Sequence, residues 1–178
     1  NMKEYEPEFD QMLFNLPLAG STFKKVYFDS VVGRTVSKFV PAEDLYVSYN
    51  ATSLEDTDTI IHVIKMTAND LRKQQVSGFY RDIEIDEPGY ESNDITDKKE
   101  EIDGVEKTNG NEMHTLLECH CELDIEGFED RSETGEETGI KLPYIVTLHE
   151  DSGDVLAIRR NYGPQDMLKK KKEYFVHF

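Results

Sequence analysis

The sequence has no tryptophan, only two cysteines in 178 residues, and far fewer basic than acidic side chains. Two cysteines do not supply the disulfide framework of a small secreted protein, which favours a reducing compartment. No apolar run approaches the ~18 residues that predict a membrane-spanning helix. Twenty Lys and Arg against 37 Asp and Glu give a net charge of −17. That balance argues against nucleic-acid binding through phosphate contacts, which need a basic surface.

Length and aromatic content indicate a folded unit. A chain of 178 residues fits one domain and can bury a core, and 10% aromatic residues is more than disordered chains contain. The chain ends in KKEYFVHF, which reads as a strand with no polar tail, whereas natural termini are usually more polar. We therefore expect residues 1–178 to form a single fragment of a longer protein. A C-terminal strand docked in a sheet is the alternative.

Two helices are predicted. EFDQMLFNL has apolar side chains at helical spacing, and we expect its helix to begin at Pro7 and end before Pro17. MTANDLRKQQVSG is the clearer helix, because Thr67 and Asp70 form an N-cap pattern and Gly78 supplies a stop.

Strand patterns outnumber these helices. TFKKVYFD, a turn at SVVG and RTVSKFV read as one hairpin; KLPYIVTLHE, a DSGD turn and VLAIRRNY read as another. DLYVSY, TIIHVIKM, FYRDIEI and the terminal KKEYFVHF are further strand candidates. The predicted class is α+β, with a mainly antiparallel sheet, hairpins and two or three short helices.

Most of the negative charge lies in one segment. Residues 91–137 contain seventeen acids and four bases, which is about −13 of the total −17. We expect an acidic, loop-rich excursion at about 86–112, with a short helix around 94–103 as the alternative to a loop. A mobile loop is predicted at 127–139 because its Gly, Ser, Thr and Glu residues offer little to bury.

LLECHCELDIEGFED, residues 116–130, places a histidine between two cysteines. A metal site is one interpretation, but alternate side chains of a strand share a face. Strand geometry would bury Cys119 and Cys121 together and turn His120, with Glu118 and Glu122, towards solvent. No second cysteine pair exists to complete a zinc site. The pattern therefore predicts a half-buried strand, no metal and no cofactor.

No other motif predicts catalysis. An EF-hand loop starting at Asp124 fails, because Phe128 and Glu129 occupy positions that need an oxygen ligand and a glycine. Ser152 lies in HEDSGD, which is typical of a hairpin turn rather than a nucleophile elbow. The sequence contains no phosphate-binding glycine motif. We therefore do not expect an enzyme.

One basic cluster stands out, formed by Lys169, Lys170, Lys171 and Lys172. Three interpretations are open: a solvated loop, a contact with another protein through its acidic surface, and a contact with DNA phosphates. In so acidic a chain we rank them in that order. These lysines are the candidate protein-contact residues.

Several stretches, in order, resemble the portal proteins of short-tailed (podovirus-type) double-stranded-DNA bacteriophages. They are LPLAGSTFKKVYFD, KFVPAEDLYVSYNATSLED, HVIKMTANDLRKQQVSGFYRDI, LLECHCELDIEGFED, KLPYIVTLHEDSGDVLAIRRNY and KKEYFVHF. Together they cover most of residues 16–178, and the acidic 86–112 region is the least diagnostic. No single stretch is a catalytic motif, so the resemblance depends on their number and order.

The resemblance implies a structural role in the virion. Portal proteins form a ring, typically a homododecamer, at one capsid vertex, and DNA is packaged and ejected through its channel. Implied partners are further copies of the subunit, the terminase, and the coat, scaffolding and tail proteins. The family has no catalytic activity of its own. Because this chain lacks the family's long stem helices and clip, we expect it to be an internal, wing-like fragment.

A second hypothesis comes from a different class of protein. An acidic interaction module of the DNA-mimic type, unrelated to phage assembly, would also explain a net charge of −17. Such a mimic would spread its acids over a whole face, whereas here they concentrate in one segment.

Overall fold

The computed structural model describes residues 4–29, 33–85, 113–132 and 134–178. Within them the chain is α+β with antiparallel sheets, which confirms the predicted class. The elements are α1 Tyr5–Ala19, β1 Phe23–Asp29, β2 Arg34–Val40, a 3₁₀ turn Ala42–Asp44, β3 Leu45–Val47, β4 Ile60–Thr67, α2 Ala68–Val76, β5 Met113–Leu123, β6 Leu142–His149, β7 Val155–Arg160 and β8 Phe175–His177.

The larger sheet has five strands in the order β3-β4-β5-β6-β7, and every neighbouring pair is antiparallel. Its central strand, β5, pairs with β4 along eight residues and with β6 along eight more. Most of the predicted strands belong to this sheet, including the second predicted hairpin, which is formed by β6 and β7. The DLYVSY strand is shorter than predicted, with three residues in β3.

The smaller sheet has the order β2-β1-β8. The predicted hairpin of β1 and β2 is confirmed, with Phe23 opposite Val40 and Asp29 opposite Arg34. The C-terminal strand docks on the free edge of β1, so Phe23 also lies opposite His177. This pairing joins the two ends of the described chain in one sheet.

The two sheets share a hydrophobic core. Val40 and Phe175 from the smaller sheet pack with Leu45 and Ile60 from the larger one. Burying an aliphatic or aromatic side chain of this size contributes roughly 1.5–3 kcal/mol, so this cluster holds the sheets together. A second cluster lies beneath α2, and a third lies along β6.

The prediction that the first helix ends before Pro17 is wrong. α1 continues through Pro17 to Ala19, and Gly20, with φ +72°, ends it by donating its N–H to the carbonyl of Leu16 at 2.9 Å. A proline here forfeits one helical hydrogen bond, to the carbonyl of Leu13. Leu13 is half exposed, which lets water replace that bond.

The second helix is confirmed with its cap. The Thr67 hydroxyl accepts from the backbone N–H of Asp70 at 3.2 Å, and α2 begins at the next residue, Ala68. Gly78, with φ +74°, follows its C-terminus. Leu71 is the buried apolar residue of the helix, and it packs in the core cluster that includes Leu116 of β5.

The predicted strand FYRDIEI does not form. Tyr80 is buried in the core and Ile83 packs against the same cluster, so the apolar pattern was interpreted correctly as buried. The backbone groups of this segment, however, form hydrogen bonds outside any β-ladder. Arg81 donates its N–H to the carbonyl of Leu156 at 2.8 Å, and the side chain of Gln75 donates to the carbonyl of Ile83 at 2.7 Å.

The assignment of faces on β5 is wrong for Glu118 and His120, which are 16% and 8% exposed, although Glu122 is exposed as predicted. His114, Leu116 and His120 are buried, whereas the two cysteines are only half buried. Alternation holds, but the face predicted to meet solvent is covered around Glu118 and His120, while Cys121 and Leu123 pack against the cluster along β6 as predicted. The smaller sheet and the α2 region lie over the covered face, and sequence alternation alone cannot reveal such a second layer.

The acidic excursion at 86–112 and most of the SVVG turn lie outside the described residues. The described part of 127–139 closes on itself. Arg131 forms a β-bridge with Glu137, and Thr138 donates its N–H to the carbonyl of Asp130 at 2.9 Å. Its predicted mobility stays a prediction.

Candidate functional site

A buried ionic cluster joins the two sheets. Lys25 of β1 reaches across to β5, where its Nζ lies 2.5 Å from Oε1 of Glu118. Nε2 of His120, two residues along the same face of β5, lies 2.8 Å from the same carboxylate. The three side chains are 10%, 16% and 8% exposed. The ion pair therefore works in a poorly solvated site, where a lone charge would be costly.

The electrostatics of the cluster fix its protonation. Burial alone would raise the pKa of Glu118, but hydrogen bonds and charge from His120 and Lys25 outweigh it and lower the pKa to about 2. Burial, together with the charge of Lys25, lowers the pKa of His62 to about 4. At neutral pH, Glu118 is therefore ionised and His62 is neutral. Nδ1 of His62 lies 3.4 Å from Nζ of Lys25, as an acceptor would.

A cavity of about 520 Å³ opens beside this cluster, between the two sheets. Lys25 and Glu118 line it together with aromatic residues from the smaller sheet, from the segment after α2 and from the residue before β8. Arg159 of β7 contributes a guanidinium that lies 3.5 Å from the ring centre of Phe79. The volume is within the range of small-molecule sites, roughly 300–1,000 Å³.

A second, smaller cavity of about 380 Å³ lies on the other side of His120 and Tyr174. The loop before β8 forms part of its wall, and Lys171 and Lys172 line it. Asn161 also lines it, and its side-chain nitrogen donates to the carbonyl of Lys172 at 3.3 Å.

The four consecutive lysines do not act as one patch. Lys169 forms an ion pair with Asp130, and Nζ of Lys171 donates to the carbonyl of Thr57 at 2.7 Å. Lys170 and Lys172 are exposed. Two of the four candidate contact residues are thus used within the chain, and the two exposed ones alternate with them.

A chain of three polar side chains, which the sequence did not reveal, runs from β5 to the β6–β7 turn. Nδ1 of His114 lies 3.1 Å from Nε2 of His149, whose Nδ1 lies 3.1 Å from Oγ of Ser152. The backbone N–H of Ser152 also donates to that Nδ1 at 3.3 Å, which makes it an acceptor and leaves the proton on Nε2. The arrangement orders the predicted hairpin turn. Burial lowers the pKa of His114.

Cys119 and Cys121 are free thiols. Burial raises the pKa values of both Cys119 and Cys121, which disfavours the reactive thiolate. Among the described residues, no group of three or more His, Cys, Asp or Glu side chains is placed to hold a metal ion. No helix in the described part of the chain is long and apolar enough to cross a membrane.

Sequence reasoning missed the ionic cluster and the cavity. Glu118 and His120 were assigned to a solvated face, and Lys25 lies 93 positions away in sequence. The only local signal was a pair of strand lysines, Lys24 and Lys25, inside an otherwise apolar pattern. No protein-family model matches this chain, and no curated protein matches it.

Proposed function

We propose that this chain is a wing-like part of the portal subunit of a short-tailed double-stranded-DNA bacteriophage. One observation carries the proposal: six stretches of the sequence resemble that family in the same order. They supply strands of both sheets and the capped helix α2. The resemblance therefore involves the residues that build the fold rather than one local motif.

Large apolar side chains at the surface support a role in assembly. Phe14 and Leu18 of α1 are 72% and 75% exposed, and Tyr46 and Tyr49, in and after β3, are 59% and 102% exposed. Phe14 and Leu18 lie one turn apart on the surface of α1, and neighbouring exposed apolar groups are typical of surfaces that contact other proteins. Lys170 and Lys172 add exposed cations that an acidic partner would attract.

In this role the chain does no chemistry. It contributes to the wall of a ring at the capsid vertex, through which DNA passes and to which terminase and tail proteins attach. Coat and scaffolding proteins are the neighbours that the resemblance implies. The subunit would be made in the bacterial cytoplasm and function in the virion.

Light scattering and a DNA titration test the proposal. The isolated chain should be monomeric or weakly associated, because a ring closes only when every contact patch is present and because a charge of −17 opposes self-association. It should not bind duplex DNA at physiological salt. A longer protein containing it should assemble. A salt-sensitive DNA complex of this chain, or a longer protein that stays monomeric, would contradict the proposal.

The acidic DNA-mimic module is the alternative, and the net charge of −17 favours it. A mimic would displace DNA from a basic DNA-binding protein, whereas a portal fragment would not. A competition titration with a labelled duplex and a nonspecific basic DNA-binding protein separates the two hypotheses. Displacement at stoichiometric amounts of this chain would favour the mimic.

A further inference from the structure

The cavity between the two sheets has a charge opposite to that of the whole molecule. Its charged lining groups are four cations (Lys25, Lys38, Lys65 and Arg159) and two carboxylates (Asp29 and Glu118). The chain as a whole carries −17. A cavity this basic in so acidic a protein is not explained by composition.

Among the described residues, not all of these cations form ion pairs. Glu118 forms an ion pair with Lys25, and Nε2 of His120 lies within hydrogen-bond distance of the same carboxylate. Lys38 and Arg159 take part in none of the ion pairs between described residues, and Arg159 donates one N–H to the carbonyl of Phe79. Burial and the charge of Lys25 lower the pKa of His62; Glu118 opposes this change, and Lys38 adds a smaller effect that lowers the pKa.

The walls of the cavity are aromatic. Tyr27, Phe79, Tyr80 and Tyr174 line it, and the guanidinium plane of Arg159 lies over Phe79. A flat ring fits such walls through stacking and through contact with the guanidinium.

Two neutral polar groups complete the lining. Burial raises the pKa of Tyr80 to about 12. Its hydroxyl is therefore protonated and can donate a hydrogen bond. Oε1 of Gln74 is buried and has no hydrogen-bond partner among the described residues. An unpartnered acceptor in a cavity wall is costly unless a donor reaches it.

We propose that this cavity binds a small planar anion, an aromatic or heteroaromatic ring that carries a carboxylate or a phosphate. Arg159 and Lys38 supply the charge that holds the anion, and a guanidinium suits either oxyanion because its N–H groups can donate charge-assisted hydrogen bonds. The aromatic walls take the ring, and Gln74 accepts from a ring N–H or O–H. The inference is independent of the proposed portal role.

Calorimetric titration of the 178-residue chain tests this. The probes are 2-naphthoate, 2-naphthyl phosphate and the uncharged 2-naphthamide. At least one anion should bind with a stoichiometry of one and roughly tenfold or more tighter than the amide, because a charge-assisted hydrogen bond is worth about that factor. The tighter of the two anions identifies the acidic group that the cavity prefers.

Adjacent arginines provide a matched control. Arg159→Gln removes the cavity cation and should weaken anion binding roughly tenfold while leaving the amide unchanged. Arg160→Gln removes the same charge from the next, exposed residue of β7 and should have little effect. Lys38→Gln is a second cavity variant, at an exposed position, in case Arg159→Gln fails to fold. It should also weaken binding of the anion while leaving binding of the amide unchanged.

Three results would overturn the proposal. One is equal affinity for the amide and for the tighter-binding anion, which would show that the cavity binds the ring through apolar contacts alone. Another is an equal loss in the Arg159→Gln and Arg160→Gln variants, which would mean only long-range charge. The third is no saturable binding of either anion at millimolar concentration.

Discussion

At the scale of single residues, the structure depends on a charged contact placed where the sequence suggests solvent. Lys25, Glu118 and His120 are buried together at the junction of the sheets. Removing one member of a buried ion pair leaves an uncompensated charge, which costs more than the pair itself contributes.

Lys25→Met should therefore lower the free energy of unfolding by about 3 kcal/mol, measured by urea denaturation. The control is Lys73→Met, which removes a lysine from the surface pair with Asp70 at 2.8 Å. Both side chains of that pair are more than half exposed, so the change should be below about 1 kcal/mol. Equal losses in the two variants would show that the Lys25 contact is no more than a surface pair.

The pH dependence of stability tests the same cluster. The pKa of His62 is about 4 in the folded protein against an ordinary 6.5, so the unfolded chain binds more protons between these values. Acidification through that window should cost up to about 3 kcal/mol, and His62→Gln should flatten this part of the profile. The depressed pKa of Glu118, about 2, adds a further loss below pH 4.5 that the variant retains. If stability fell equally with pH in the parent chain and in His62→Gln, the loss between pH 6.5 and 4 could not be assigned to His62.

The sequence predicted these residues only in part. Alternation correctly separated Glu118 and His120 from the cysteines. It could not show which face would be covered, because the covering strand contributes Lys25 from 93 positions earlier in the chain. A carboxylate in a strand usually indicates exposure to solvent, but a cation from elsewhere in the fold can pair with it and make its burial tolerable.

At the scale of elements, local signals predicted structure well wherever the determinants were themselves local. α2 has its cap, its first-turn acid and its glycine stop within twelve residues, and it forms as predicted. The FYRDIEI segment has strand composition, but its backbone partners are Leu156 and the side chain of Gln75. A ladder needs a neighbouring strand, and nothing in the segment itself encodes one.

The N-cap of α2 gives a quantitative test. Thr67→Ala removes the acceptor for the N–H of Asp70 and should lower the free energy of unfolding by about 1 kcal/mol. Thr67→Ser keeps the hydroxyl and should retain most of that stability. If both variants lost the same amount, the methyl group rather than the cap would be responsible.

Limited proteolysis tests the interpretation of the acidic segment. Its composition predicts the most accessible backbone, so a glutamate-specific protease should cut first within 127–139 or 104–112. The flanking hairpins should stay intact in the early products, as mass spectrometry would show. First cleavage inside 60–85 would instead indicate that β4 and α2 are less stable than their packing implies.

At the scale of the whole molecule, a shared hydrophobic core and a buried ion pair join two antiparallel sheets, and a cavity lies between the sheets. The sequence predicted the α+β class and both hairpins. It did not predict the division into two sheets, because β8 pairs with β1 across nearly the whole chain. Such long-range pairing leaves no local pattern. Large apolar side chains of α1 and β3 stay exposed on this fold.

The central claim, that this chain is part of a ring-forming portal subunit, is tested most directly by imaging. The protein encoded by the complete gene should be examined by negative-stain electron microscopy at high protein concentration. Our account predicts closed rings with a central channel, the homododecamer that the resemblance implies. Particles that never close into rings, at any concentration tested, would contradict it.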